Sequence, residues 1–140
     1  MASAFYLASP KTTLKKMQIT CKQPTSFNDS FISFRIKKIL SIRLFPDCDK
    51  QWQKNVVEMD YEILLLSQFT LQAATKNGSK PDFHNAMQTE ASRVEFARIA
   101  QVLREKYSEE RVKTGRFQTV CSVSLVNDGP TTIVIDSKQK

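Results

Sequence analysis

Two short stretches place polar or stiffening residues where an ordinary strand or turn has no need of them. The first is Ser67-Gln68-Phe69-Thr70, which follows the apolar run Ile63–Leu66. Two hydroxyls and an amide interrupt what would otherwise be a continuous apolar strand. The same residue types also suit cross-strand pairing where a strand leaves the core. The second stretch is Asn127-Asp128-Gly129-Pro130, inside LVNDGPTTIVI. Asn127-Asp128-Gly129 alone would turn a hairpin. Pro130 removes a backbone donor, restrains Gly129, and opens the choice of a cis peptide bond. The result is a loop tip of fixed shape, and fixed loops on a rigid scaffold often carry function.

The usual catalytic partners are scarce. His84 is the only histidine, so any imidazole base or histidine-containing metal site would have to use it. Cys21, Cys48 and Cys121 are far apart and fit neither a CxxC pair nor a disulfide framework. No metal or other cofactor is expected from these spacings.

The elements that must position these residues can be read from periodicity. Phe34–Phe45, FRIKKILSIRLF, reads as a helix running into a strand, and Pro46–Val56 as polar and turn-like. Tyr61–Ala73, YEILLLSQFTLQA, reads as one long strand, with Ile63–Leu66 buried on both faces and Phe69 facing opposite to Gln68 and Thr70. Residues 75–83 form a loop dense in Asn, Gly, Ser and Pro. Thr89 can cap a helix reaching about Tyr107, whose Phe96, Ile99 and Leu103 recur at helical spacing. VCSVSLVN and TTIVID close the chain as two strands. The fold class is therefore α+β: a single domain of mixed, barrel-like strands packed with one long helix.

The chain has 140 residues, 41% of them hydrophobic and 25% charged, which suits one soluble globular domain. No apolar run approaches the roughly 20 residues that cross a bilayer, so no membrane partner is expected. The net charge of +7 favours an anionic partner, nucleic acid ahead of a lipid surface. Residues 1–28 contain no carboxylate but include Lys11, Lys15, Lys16 and Lys22. That texture resembles an organellar transit peptide, without the arginines such segments carry. The expected division is residues 1–35 as a divergent, disordered or transit-like segment, followed by a domain over 36–140.

LLLSQFTLQA, then KPDFHNAM, then LVNDGPTT, in that order, resemble the D-aminoacyl-tRNA deacylase family. Weaker agreement covers KKILSIRLF, LREKY and TGRF, so the resemblance spans about residues 37–137. It implies a homodimer with active sites at the subunit interface. The implied reaction is hydrolysis of the ester between a D-amino acid, or glycine, and the 3′-terminal ribose of tRNA. It further implies that Gly129-Pro130 carries a cis peptide bond, reaches into the partner's site and rejects L side chains by steric overlap. By the same resemblance the Phe69 N–H faces the oxyanion, Thr70 acts as nucleophile or as an orienting group, and Gln68 supports the pocket beside Ser67. Orientation is the better reading for Thr70, because the ribose 2′-hydroxyl can assist the attack. Phe117 would hold the terminal adenine, and Lys80 belongs to a loop that shapes the site. The expected compartment is the cytoplasm, or an organelle if residues 1–30 are a transit peptide.

Three departures from the family pattern stand out. Gln118-Thr119 replace Gly-Ala after Phe117, Cys121 replaces Met, and Thr131 replaces Val. Residues 1–35 lack the alternation of the family's first two strands, which predicts a sheet incomplete on that side.

Overall fold

A computed structural model describes residues 2–8, 14–20, 29–76, 78–126 and 131–136. Its centre is a mixed five-stranded sheet. The strands are β1 (Ala2–Ala8), β2 (Leu14–Thr20), β5 (Glu62–Ser67), β6 (Val112–Thr114) and β7 (Val134–Asp136), in the order β6-β5-β1-β2-β7. β1 is antiparallel to both β2 and β5, whereas β6 and β7 join the edges in parallel. A separate hairpin pairs β3 (Phe45–Asp47) with β4 (Lys50–Lys54). Two helices complete the fold, α1 (Asp29–Ser41) and α2 (Thr89–Lys106).

The amino-terminal strands correct the expectation of an incomplete sheet. β1 pairs with β5 from Ser3↔Ser67 to Ala8↔Glu62, and with β2 from Ala2↔Thr20 to Ala8↔Leu14. β1 pairs along its length with two antiparallel neighbours although its sequence ASAFYLA lacks a regular alternation of apolar and polar residues. The helix expected to run into a strand over Phe34–Phe45 is present and starts earlier. α1 begins at Asp29, inside the segment read as divergent, and buries Ile32, Ile36 and Ile39 at helical spacing.

The core lies where both helices meet the sheet. Leu7, Ile63, Leu65 and Val112 supply the sheet side, and Phe96, Ile99, Ala100 and Leu103 the α2 side. Between the helices, Arg35 Nη1 donates to Glu95 Oε1 at 3.3 Å, with both side chains almost wholly buried. Burial pushes the Glu95 carboxyl above its usual range and the Arg35 charge pulls it partly back. At the far end of α2, the Tyr107 hydroxyl donates to the Tyr61 carbonyl at 2.6 Å, tying the helix to the start of β5.

β5 is shorter than its sequence suggests, and its apolar run is covered unevenly. Ile63 and Leu65 are fully buried, whereas Leu64 and Leu66 are only partly so. The ladder with β1 reaches Ser67, opposite Ser3. Past it, Phe69–Gln72 form a single 3₁₀ turn instead of continuing the strand. Nor do residues 120–126 form the strand their β-branched residues predict. Val120, Val123, Leu125 and Val126 all stand exposed there.

Candidate active site

The end of β5, the loop before α2, the first turns of α2 and the segment after β6 enclose one cleft of about 630 Å³. Ser67, Gln68 and Phe69 form one wall, Phe83 and Met87 another, and Phe117 and Gln118 a third. Ser67 and Gln68 reach it because β5 stops there and its last residues turn away from the core. The chain passes close beside the wall at Gly115, where a Cβ would press on Leu66 Cδ2 and turn that side chain aside, while the Gly115 N–H donates to the Leu65 carbonyl at 2.9 Å.

Each wall is held by local contacts. Phe69 is 58% exposed and meets Phe83 edge to face, with ring centroids 5.1 Å apart. The Phe83 loop is fixed by a two-bond bridge, in which Ala74 and Asp82 exchange backbone hydrogen bonds of 2.8 and 2.9 Å. Asp82 also accepts from the His84 N–H at 2.9 Å and contacts the His84 imidazole. These bonds from His84 hold the Asp82 carboxyl below its ordinary range. The histidine is therefore an exposed partner of that loop and does not line the cleft.

Phe117 sits between two residues of α2. Its ring centroid is 5.6 Å from that of Phe96, and the Arg93 guanidinium lies over the ring at 4.9 Å. Arg93 Nη2 also donates to Gln118 Oε1 at 3.2 Å and faces Glu90 at 3.6 Å. Gln118 holds a positive φ of 55°, a conformation that glycine adopts more easily. The residue that departs from the family pattern is thus strained in the backbone and anchored through its side chain.

The sequence-predicted site residues divide into three groups. Ser67, Gln68, Phe69 and Phe117 come together in the cleft. Thr70 lies beside it rather than in it, and its hydroxyl accepts from the Gln68 amide. Lys80 is exposed on the adjoining loop and does not line the cleft. Gly129 and Pro130, with their peptide geometry, lie outside the described residues. Sequence reasoning missed Thr89, Ser92 and Arg93. The signal was available, since 89, 92, 93 and 96 fall on one helical face and only Phe96 was assigned to it. Thr89 also does not cap α2; Gln88 precedes the helix, and its side chain makes no capping bond.

The cleft is well suited to a flat, uncharged group joined to an anionic one. Three aromatic rings and a run of hydroxyls and amides line it, and among the described residues Arg116 is its one charged lining residue. The 18-residue helix α2 opens at the cleft, so its positive end adds to that field. Among the described residues no group of three His, Cys, Asp or Glu side chains gathers to hold a metal ion. The described helices include none long and apolar enough to cross a membrane.

A sheet-and-helix domain with such a cleft at the end of a central strand belongs to a recognisable class. The family model for D-Tyr-tRNA(Tyr) deacylase matches residues 25–136, and the chain is a member of that family. Membership makes it a hydrolase of the deacylase type. The chain is 46% identical over 104 residues to the D-aminoacyl-tRNA deacylase of Saccharomyces cerevisiae, covering 74% of this chain and 69% of that protein. To human D-aminoacyl-tRNA deacylase 1 it is 45% identical over 103 residues, covering 73% of this chain but 49% of the relative. A solved structure titled c-Myc DNA Unwinding Element Binding Protein superposes with a TM-score of 0.76 at 30% identity. That match covers 94% of this chain and 95% of the other.

Proposed function

We propose that this protein hydrolyses the ester joining a D-amino acid, or glycine, to the 3′-terminal ribose of tRNA. The observation that carries the reading is the convergence of Ser67, Gln68, Phe69 and Phe117 on one cleft in a member of the deacylase family. The terminal adenine rests against Phe117. Because Arg93 lies over that ring, the base meets the ring's edge or displaces the guanidinium. This places the ester at the Ser67–Phe69 wall. The Phe69 N–H opens a 3₁₀ turn, where backbone donors have no acceptor within the turn, and it donates to the oxyanion. Water adds to the ester carbonyl, the carbon–oxygen bond to the ribose breaks, and the ribose oxygen leaves with a proton. The neighbouring 2′-hydroxyl hydrogen-bonds to that water, a task for which the cleft itself offers no imidazole. Thr70, held by the Gln68 amide, orients the substrate, and Lys80 shapes the rim.

In this reading Gly129-Pro130 is the stereochemical clamp, with a cis bond, supplied across a homodimer interface. The exposed Val120, Val123, Leu125 and Val126 support it, since they run directly up to that loop and a second copy would cover them. A cytoplasmic site of action is supported by β1 and β2, because a cut near residue 30 would take both strands from the sheet.

A second reading, a catalytically weak relative that binds tRNA or another nucleic acid, draws on Gln118, whose side chain occupies cleft space that glycine would leave open. Hydrolysis assays on matched D- and L-aminoacyl-tRNA separate the two. Release from the D-ester alone supports the deacylase, and tight tRNA binding without release supports the relative.

A further inference from the structure

A second groove, of about 640 Å³, lies between α1, the turn after β4 and the last turn of α2. It shares no lining residue with the cleft. Its floor is apolar, built from Ile36 and Leu40, and its rim is polar. Lys37 from α1 and Lys106 from α2 stand on that rim, both exposed, 69 positions apart in sequence and brought to one groove by the packing of the helices. Neither lysine pairs with a carboxylate among the described residues. The hydroxyl of Ser33 adds a donor, whereas that of Ser41 donates to the Lys38 carbonyl at 3.5 Å. No carboxylate is among the described residues that line the groove; Glu58 and Glu105 adjoin it in sequence, the first accepting from the Asn55 N–H at 2.8 Å and the second from the Gln101 amide at 3.0 Å.

We propose that this groove binds the phosphodiester backbone of the substrate RNA, away from its aminoacylated end. The inference rests on the tRNA reading above and adds a second contact to it. Two lysines that pair with no carboxylate among the described residues, with the Ser33 hydroxyl beside them, suit a polyanion. The chain's net charge of +7 supplies the long-range attraction.

The test uses the full chain with Lys37→Gln and Lys106→Gln combined. As a control, Lys50→Gln with Lys113→Gln removes the same charge from exposed strand positions. Uncharged tRNA is titrated at several salt concentrations. The groove variant is expected to flatten the slope of log affinity against log salt by roughly 0.7–0.9 per lysine, and the control pair by much less. In turnover, the groove variant should raise KM for full-length D-aminoacyl-tRNA with kcat unchanged. It should leave an aminoacylated trinucleotide of the 3′ end unaffected. Equal losses in the two variants overturn the groove and leave only net charge. An equal loss on the trinucleotide also overturns it, by placing the effect in the cleft. If the unaltered chain hydrolyses neither substrate, the deacylase reading fails, while the salt titration still decides the groove.

Discussion

The helix-on-sheet core and the cleft rim are built by opposite rules. In the core, Ile63, Leu65, Ile36, Ile39 and Leu103 have almost no surface left to solvent, and the one buried charge on each helix, Arg35 and Glu95, meets its counterpart. At the rim, Phe69 and Val120 stand in solvent, Gln118 holds a left-handed backbone, and β5 breaks off into a turn. Such features weaken a fold when nothing binds to them. The difference separates residues kept for stability from residues kept for a ligand.

The separation can be broken most forcefully at Glu95. Glu95→Ala removes the buried carboxylate that Arg35 pairs with across the helices and should cost about 3–5 kcal/mol in chemical denaturation. Arg35→Met combined with it should recover much of that loss, and activity per folded molecule should stay near that of the unaltered chain. A variant that stays folded yet loses turnover would erase the distinction between core and site.

Phe117 tests the boundary between the two regions, because it packs on Phe96 and also lines the cleft. Phe117→Leu keeps apolar volume against Phe96 but removes the aromatic ring. The loss of a base contact worth about 1–3 kcal/mol should appear in KM for aminoacyl-tRNA, with a smaller change in stability. Gln118→Gly is expected to go the other way. Relief of the left-handed backbone, about 1–2 kcal/mol, opposes loss of the Arg93 bond, so stability should change little or rise slightly. Turnover should rise if Gln118 crowds the base.

The smallest effect is in pH. Glu95 has a raised carboxyl, so its contribution is least favourable when it is charged and improves as pH falls through its folded value towards 4.5. Asp82 has a lowered one, so its contribution is present above 3.8 and is lost as pH falls through its folded value. Thermal unfolding of His84→Ala, compared with the unaltered chain below pH 5, should show a slightly weaker acid dependence, since the imidazole contact to Asp82 is lost while the backbone N–H at residue 84, the larger cause of its depression, remains.

The hydroxyl–amide run after the apolar strand was visible in the residue types, whereas Phe117 was tied to it only through the family resemblance; both line the cleft. Where the strand ends could not be read, because the residue types of 67–72 suit a continuing strand as well as a turn. β1 was hidden because ASAFYLA lacks the alternation that marks an antiparallel strand, and its place is set by pairing with β5, far along the chain. The α2 face of Thr89, Ser92 and Arg93 was hidden differently, behind an apolar stripe that explained the helix without them.

The most direct test is hydrolysis of matched D- and L-aminoacyl-tRNA by the purified full chain beside a Thr70→Ala variant, with folding of both verified. The account predicts release from the D-ester only, and a lower rate in the variant without loss of the D-over-L preference. Equal release from both enantiomers, or none from either by a folded chain, would contradict it.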